Sequence, residues 1–517
     1  MSTSTADSPE NERRIYCLTG IAPEVQAYAL ARYSRSRQSM VESVRELNAQ
    51  RAEQFLNTFY FQYGHRSIAD LAHVAVAVEN VSILAAVRVV DEQLWDGQER
   101  STRYQDFRRT RYVVPTGISG TSLERGYREA ADALFSSYES LSNDILTVLL
   151  DTASPPPSMD RPQVERTLRA RAFDVARYLL PLATRTSVGQ LVSARVLERQ
   201  ISRLMTDPLP EAREIGADLR RAGEGSSATL EGLGTGPAAA PTLVKYTAPV
   251  RYIEQGRTDL ALAATEILDG VSRQADGPRV ELTLHEPLVD EMVATLLYAH
   301  DPDGRSYRQI SARVAELDEG HKREVLNLSV EARGPYDELM RAHQSGHALK
   351  FDVLMDFGSF RDLHRHRRCV QIIQGPRIEH GFDDAADVFA LGLGSAGAEA
   401  QELQKRYRVA LSESVQASNW LRTELRQSES ADTEPGQSDP ADTAQYILPL
   451  AVRTRALFKM DFAEAAYIIE QRTQPAGHFS YRHVAWDMYQ ELQQQVPSLA
   501  ALVRAVDPNL IVDLFRR

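Results

Sequence analysis

The chain has 517 residues and a net charge of −12, with 43% hydrophobic and 25% charged residues. That length exceeds one ordinary core and fits two domains of roughly 200–250 residues, and the acidic balance argues against a general nucleic-acid coat. No apolar run approaches the ~20 residues that span a bilayer, and two cysteines, Cys17 and Cys369, cannot build a disulfide framework, so the expectation is a soluble, cytoplasmic protein with no membrane or nucleic-acid partner.

In chain order, Met1 to Glu12 is Ser/Thr-rich, expected to be disordered, and lacks the apolar segment of a signal peptide. Leu71 to Leu84 contains the strand-like stretch Val74–Val78, and Arg125 to Leu146 and Val192 to Arg221 carry helical periodicity, with a loop at Pro155–Pro157. A small-residue connector follows, from Gly223 through Gly232–Pro237. Beyond it, Ala348 to Phe360 contains the strand-like Phe351–Met355. Ala398 to Leu421 and Phe462 to Leu492 are again helical, and Ser428 to Asp442 reads as a solvated insertion. Helices packed on sheet, in the α+β or mixed α/β range, are the predicted class.

The organising feature is a repeat. Ala176-Arg177-Tyr178-Leu179-Leu180-Pro181-Leu182-Ala183 returns as Ala444-Gln445-Tyr446-Ile447-Leu448-Pro449-Leu450-Ala451, and Pro449 minus Pro181 gives a shift of 268 positions. So long a period means two whole domains of one fold. The predicted division is 13–222, a connector over 223–279, and 280–517.

Several clusters carry candidate chemistry. Arg365-His366-Arg367-Arg368 is the densest basic group; guanidinium forks suit phosphates, and a solvated helix end is the alternative. Ser101 and Arg103, two apart after the turn Asp96–Glu99, can reach one phosphate from an irregular segment or can have no ligand. Gly392–Gly397 matches G-x-G-x-x-G but lacks the βαβ context, so it and Gly117–Ser122 read as helix-entry loops. The histidines have no His-Glu-x-x-His or Cys-x-x-Cys pairing, so no metal site is expected. Cys369 reads as a buried, inert thiol rather than an activated one.

Taken in order, these pieces resemble the flavin-dependent thymidylate synthase (ThyX) family. Its mark is Arg-His-Arg followed by Ser-x-Arg-Tyr, downstream of Gly-His-x-Ser/Thr and upstream of Ala-Arg-x-x-Leu-Pro-Leu. The first copy supplies Gly64-His65-Arg66-Ser67, Glu99-Arg100-Ser101-Thr102-Arg103-Tyr104 and Ala176–Leu182; the second supplies Arg365-His366-Arg367, Gly375–Ile378, Ala444–Leu450 and Arg472. The resemblance implies two tandem domains, each a mostly antiparallel sheet packed with long helices.

The two copies depart from the pattern in complementary ways. Asp91-Glu92-Gln93 stands where the first copy would carry Arg-His-Arg, and Leu204, beside Arg203, where the activating arginine would fall. In the second copy the phosphate-side Ser and Tyr are Gly375 and Ile378, the helix-start Arg is Gln445, and Asp461-Phe462-Ala463 replaces the flavin segment kept as Ser193-Ala194-Arg195. The resemblance therefore implies one composite site, with Arg472 as the catalytic residue, Glu99, Ser101, Arg103 and Arg177 on the substrate, and Ser67, Arg195, Arg365, His366 and Arg367 on FAD. It further implies dUMP, methylene-tetrahydrofolate and NADPH, and a homodimer forming a pseudo-tetramer. A diverged flavoenzyme with another substrate, or a non-catalytic nucleotide- or flavin-binding protein, are the alternatives.

Overall fold

A computed structural model describes residues 22–33, 66–103, 105–107, 111–224, 240–251, 253–254, 278–284, 287–300, 307–331, 339, 343, 345–385, 397–428, 440–509 and 515. The first copy comprises α1 (Pro23–Tyr33), β1 (His73–Ser82), α2 (Ile83–Val90), β2 (Asp96–Glu99), α3 (Glu124–Thr152), α4 (Arg161–Ala176), β3 (Arg185–Ser193), α5 (Ala194–Met205) and α6 (Pro210–Glu224). The second comprises β4 (Val280–Thr283), α7 (Leu288–His300), α8 (Tyr307–Ala315), α9 (Glu319–Leu328), β5 (Leu349–Asp356), α10 (Phe357–Leu363), β6 (Val370–Pro376), α11 (Gly397–Ser428), α12 (Pro440–Ala444), β7 (Arg453–Met460), α13 (Phe462–Arg472), α14 (Phe479–Gln495) and α15 (Pro497–Ala500).

Both sheets are antiparallel and share one order. The first runs β1-β3-β2, and the second β4-β5-β7-β6, which is the same arrangement with β4 added at the edge. In each copy two strands run straight into helices, and the side chain at the junction caps the helix. Ser82 Oγ accepts from the Ala85 amide at 2.9 Å and Ser193 Oγ from Val196 at 3.3 Å; Asp356 and Asp461 do the same for Ser359 and Glu464, each at 2.7 Å. Two of the predicted long helices are each broken. Val192–Arg221 begins as the end of β3 and is interrupted before Pro210, and Phe462–Leu492 is interrupted at Thr473–His478, around Pro475, because proline lacks the amide an unbroken helix needs.

The repeated Leu-Pro-Leu segment joins the copies. The Leu182 amide donates to the Leu448 carbonyl at 2.8 Å, and Leu450, its counterpart 268 positions on, donates to Leu180 at 2.9 Å. Ala183 to Tyr446 (2.9 Å) and Ala451 to Tyr178 (3.1 Å) are related by the same shift. The self-complementary exchange is what a two-fold contact between like domains requires. The long helices α3 and α11 pack across the same junction, where a Cβ on Gly126 would stand 2.5 Å from the Trp420 ring. Gly126→Ala is expected to displace the part-exposed Trp420 ring at a net cost of at most about 1 kcal/mol, since the gain in helix propensity offsets part of the overpacking, read as a slightly lower urea midpoint.

Residues 240–247, placed in the connector by the sequence pattern, pack on the first copy: Leu243 and Val244 are buried, and the Thr242 and Leu243 amides both donate to Glu24. Gly392–Ala396 lies outside the described residues. Among those described, no helix is long and apolar enough to cross a membrane.

Candidate active site between the repeats

Helix α13 repeats at the spacing that puts Glu464, Tyr467, Gln471 and Arg472 on one face. This face and the loop Arg365–Arg368 line a cavity of ≈ 610 Å³, and the first copy closes it with Gln93 and Leu94. Arg472 Nε donates to His366 Nε2 at 2.8 Å, and His366 Nδ1 lies 3.6 Å from Glu464 Oε1. Burial, above all, and the nearby Arg472 cation hold the His366 pKa below its ordinary value. Arg367 reaches into the first copy, its guanidinium 5.0 Å from the Trp95 ring centroid and 3.3 Å from Asp96.

Tyr481, on α14, gathers arginines from both copies. The Arg472 guanidinium lies 5.4 Å from its ring centroid and that of Arg103 5.8 Å, while Arg103 Nη1 donates to the Tyr481 hydroxyl at 3.1 Å. Arg103 Nε also donates to Asp174 at 2.8 Å. Burial disfavours the Arg103 charge, but Asp174 and Tyr481 outweigh it and raise the pKa. Arg177, 2% exposed, donates to Thr102 at 3.2 Å and pairs with Asp362 at 3.3 Å. Burial opposes the Asp362 charge, yet Arg177, Arg103 and Arg365 hold its carboxyl at about 2. His478 completes the cluster: its Nε2 lies 2.9 Å from the Asp174 carbonyl, and burial and Arg177 hold its pKa well below the usual histidine range.

The structure thus brings Arg365, His366, Arg367 and Arg472 to the cavity wall, while Arg103 and Arg177 lie buried behind it in their pairs with Asp174 and Asp362. Ser101 adjoins them through a local turn, its Oγ accepting from the Arg103 amide at 3.2 Å. Glu99 lies deeper, in an ion pair with Arg361 of the second copy in which both side chains are 6% exposed. Arg195 pairs with Asp70 at 2.8 Å and does not line the cavity, and the Ser67 side chain lies outside the described residues. Gly375, in the phosphate-side position of the second copy, has φ of 81° at a bulge in β6, where glycine is favoured and serine strained. Cys369 is buried, and burial pushes its thiol up to about 12, which suits an inert group.

The first copy's counterpart to this arrangement is different. Glu92 stands in the Arg-His-Arg position and binds Arg203 at 2.9 Å and Arg199 at 2.6 Å directly, beside a smaller cavity of ≈ 220 Å³. Asp362, Glu464, His478 and Tyr481 escaped sequence reasoning. Only Asp362 carried a local signal, three residues before Arg365; the other three acquire partners through tertiary contact alone.

The family described as "Thymidylate synthase complementing protein" matches residues 19–222 and 337–498, one stretch in each repeat. The chain belongs to this family. Among similar proteins, a UPF0159 protein of Chlamydia muridarum is 26% identical, with 89% of this chain and 82% of that protein covered. A UPF0159 protein of Thermoplasma acidophilum is 25% identical, with 92% and 94% covered. A flavin-dependent thymidylate synthase of Clostridium tetani is 22% identical over 38% of this chain and 80% of its own length. Among solved structures, ThyX of Helicobacter pylori complexed with FAD and dUMP aligns with a TM-score of 0.27 and 13% identity, covering 44% of this chain and 96% of that one. The two-fold match accords with two ThyX-like domains in tandem.

Proposed function

We propose that the chain is a flavin-dependent enzyme of thymidylate-synthase type, methylating dUMP at C5 with methylene-tetrahydrofolate and NADPH at one composite site per chain. The observation that carries this reading is the meeting of Arg103 from one repeat and Arg472 from the other on the single Tyr481 ring. The donor set suits FAD: Arg365, Arg367 and Arg368 are fixed cations for its phosphates, and exposed Leu94 and Tyr467 offer apolar surface in the same ≈ 610 Å³ space. When bound, the reduced flavin supplies hydride.

The protein's own part is electrostatic. Arg472 is set to favour negative charge developing on the uracil carbonyl, a preorganised effect. On this reading Arg103 and Arg177, with Ser101, receive the nucleotide phosphate in place of Asp174 and Asp362, which hold the two buried arginines in this structure. Two chains would associate as a pseudo-tetramer, with a solution mass of twice 57.8 kDa. A second reading, a flavoenzyme with a less anionic substrate, is favoured by the carboxylates Asp174 and Asp362 already pairing Arg103 and Arg177.

The purified chain is expected to be yellow, absorbing near roughly 450 nm, with one flavin per chain, and to rescue a thymidine-requiring strain. A colourless preparation that takes up no FAD overturns the flavoenzyme reading. Two flavins per chain overturn the composite site. Flavin uptake without rescue, and tighter binding of deoxyuridine than of dUMP, moves the assignment to the second reading.

A further inference from the structure

We infer that Glu464 and His366 are positioning residues, a carboxylate–imidazole–guanidinium chain that holds Arg472 as an uncompensated cation facing the cavity. The inference deepens the proposed function and rests on it only for the identity of the ligand.

The chemistry follows from donor and acceptor types. A guanidinium has donors only and does not deprotonate in proteins. The 2.8 Å contact between Arg472 Nε and His366 Nε2 therefore makes Nε2 the acceptor. A neutral imidazole that accepts at Nε2 carries its proton on Nδ1, which is the nitrogen facing Glu464 Oε1 at 3.6 Å. His366 and Glu464 are 6% and 4% exposed, so both partners are largely desolvated. Among the described residues no carboxylate pairs with Arg472.

The other repeat shows what the imidazole changes. There Glu92 touches Arg203 and Arg199 directly, so the group that holds Arg203 is itself an anion, shared between two guanidiniums. In the second copy the acid stands one ring further back. The guanidinium is gripped with comparable geometry, but its charge remains available to a ligand.

Protonation of His366 would remove the acceptor and set a second cation against Arg472. The charged groups facing His366 are Arg365, Arg367 and Arg368 on its own loop and Glu464 and Arg472 from α13, with the Tyr467 ring 5.6 Å away. Arg367 is engaged by Asp96 and Arg368 by Asp461. Among the described residues Glu464 is thus the anion directed at the ring, and its removal lowers the pH at which the ring charges.

The test uses the full chain. With ¹⁵N-labelled histidine and His366→Gln to assign the signal, His366 is expected as the neutral Nδ1–H tautomer at pH 7; the Nε2–H tautomer or an imidazolium there overturns the inference whatever the ligand. Calorimetry with dUMP from pH 5 to 8 forms the second arm. His366→Ala is expected to bind about tenfold more weakly at pH 8, the loss of a hydrogen bond to a charged group. His366→Gln, whose amide oxygen accepts but does not titrate, should bind like wild type at pH 8 and lose the His366-dependent weakening on acidification. Glu464→Gln should move that weakening to lower pH. A wild-type pH profile in His366→Gln, or unchanged affinity in His366→Ala, overturns the positioning role. No dUMP binding by wild type defeats the proposed substrate and leaves the tautomer result to decide the chain of contacts.

Discussion

Arg472→Ala is expected to lower turnover of dUMP by roughly 10²–10³, the range seen when a preorganised donor is removed from a site of developing charge. The residue is half-buried and fixed through Nε to His366, with no carboxylate partner among the described residues. Arg472→Lys should not restore the rate. An ammonium is a single charged point and cannot donate sideways to His366 while presenting a planar pair of donors to the cavity. Methyl transfer to labelled dUMP in the presence of FAD, reductant and folate is the measurement. Its partner experiment is Arg203→Ala, which changes the arginine held by Glu92 in the first copy. Should Arg203→Ala and Arg472→Ala each lose only about half of the turnover per folded chain, the chain works through two equivalent, independent sites and the single composite site is wrong.

The largest stability effect is expected at the junction of the repeats. Glu99 and Arg361 pair across it with both side chains 6% exposed. Glu99→Ala leaves the Arg361 guanidinium buried and unpaired, at a cost of about 3–5 kcal/mol, seen as a lower urea midpoint. The double variant Glu99→Leu with Arg361→Met should recover most of that loss, since apolar groups of similar size avoid the desolvation penalty of both charges. A single variant with an unchanged midpoint would show that the pair contributes nothing to holding the repeats together. This pair also accounts for the placement of Glu99, which belongs to the scaffold beneath the cavity rather than to its lining.

Much of the fold was legible because its signals are local. The strand-like Val74–Val78 and Phe351–Met355 lie inside β1 and β5, and the long periodic stretches from Arg125 and Ala398 lie inside α3 and α11. The breaks in two other helical stretches were missed although Pro208 and Pro210 mark the first and Pro475 and Gly477 the second, because periodicity outweighed these breakers. The site was only partly legible. Arg103, Arg177, Arg365, His366 and Arg472 stand out by residue type and order, whereas Tyr481 contacts Arg103 across 378 positions and carries no motif.

What the sequence determined by itself is the duplication, and with it the two-fold exchange between Leu182 and Leu448 and between Leu450 and Leu180, since two copies of one self-complementary segment dock symmetrically. It also determined the helix starts, because Ser and Asp at strand ends satisfy amides only a turn away. The tertiary structure decided which arginines keep their charge available. That property belongs to the partner rather than to the arginine, and the partners, Glu92 for Arg203 and His366 for Arg472, are about a hundred residues distant in the chain and adjacent only once each sheet has formed.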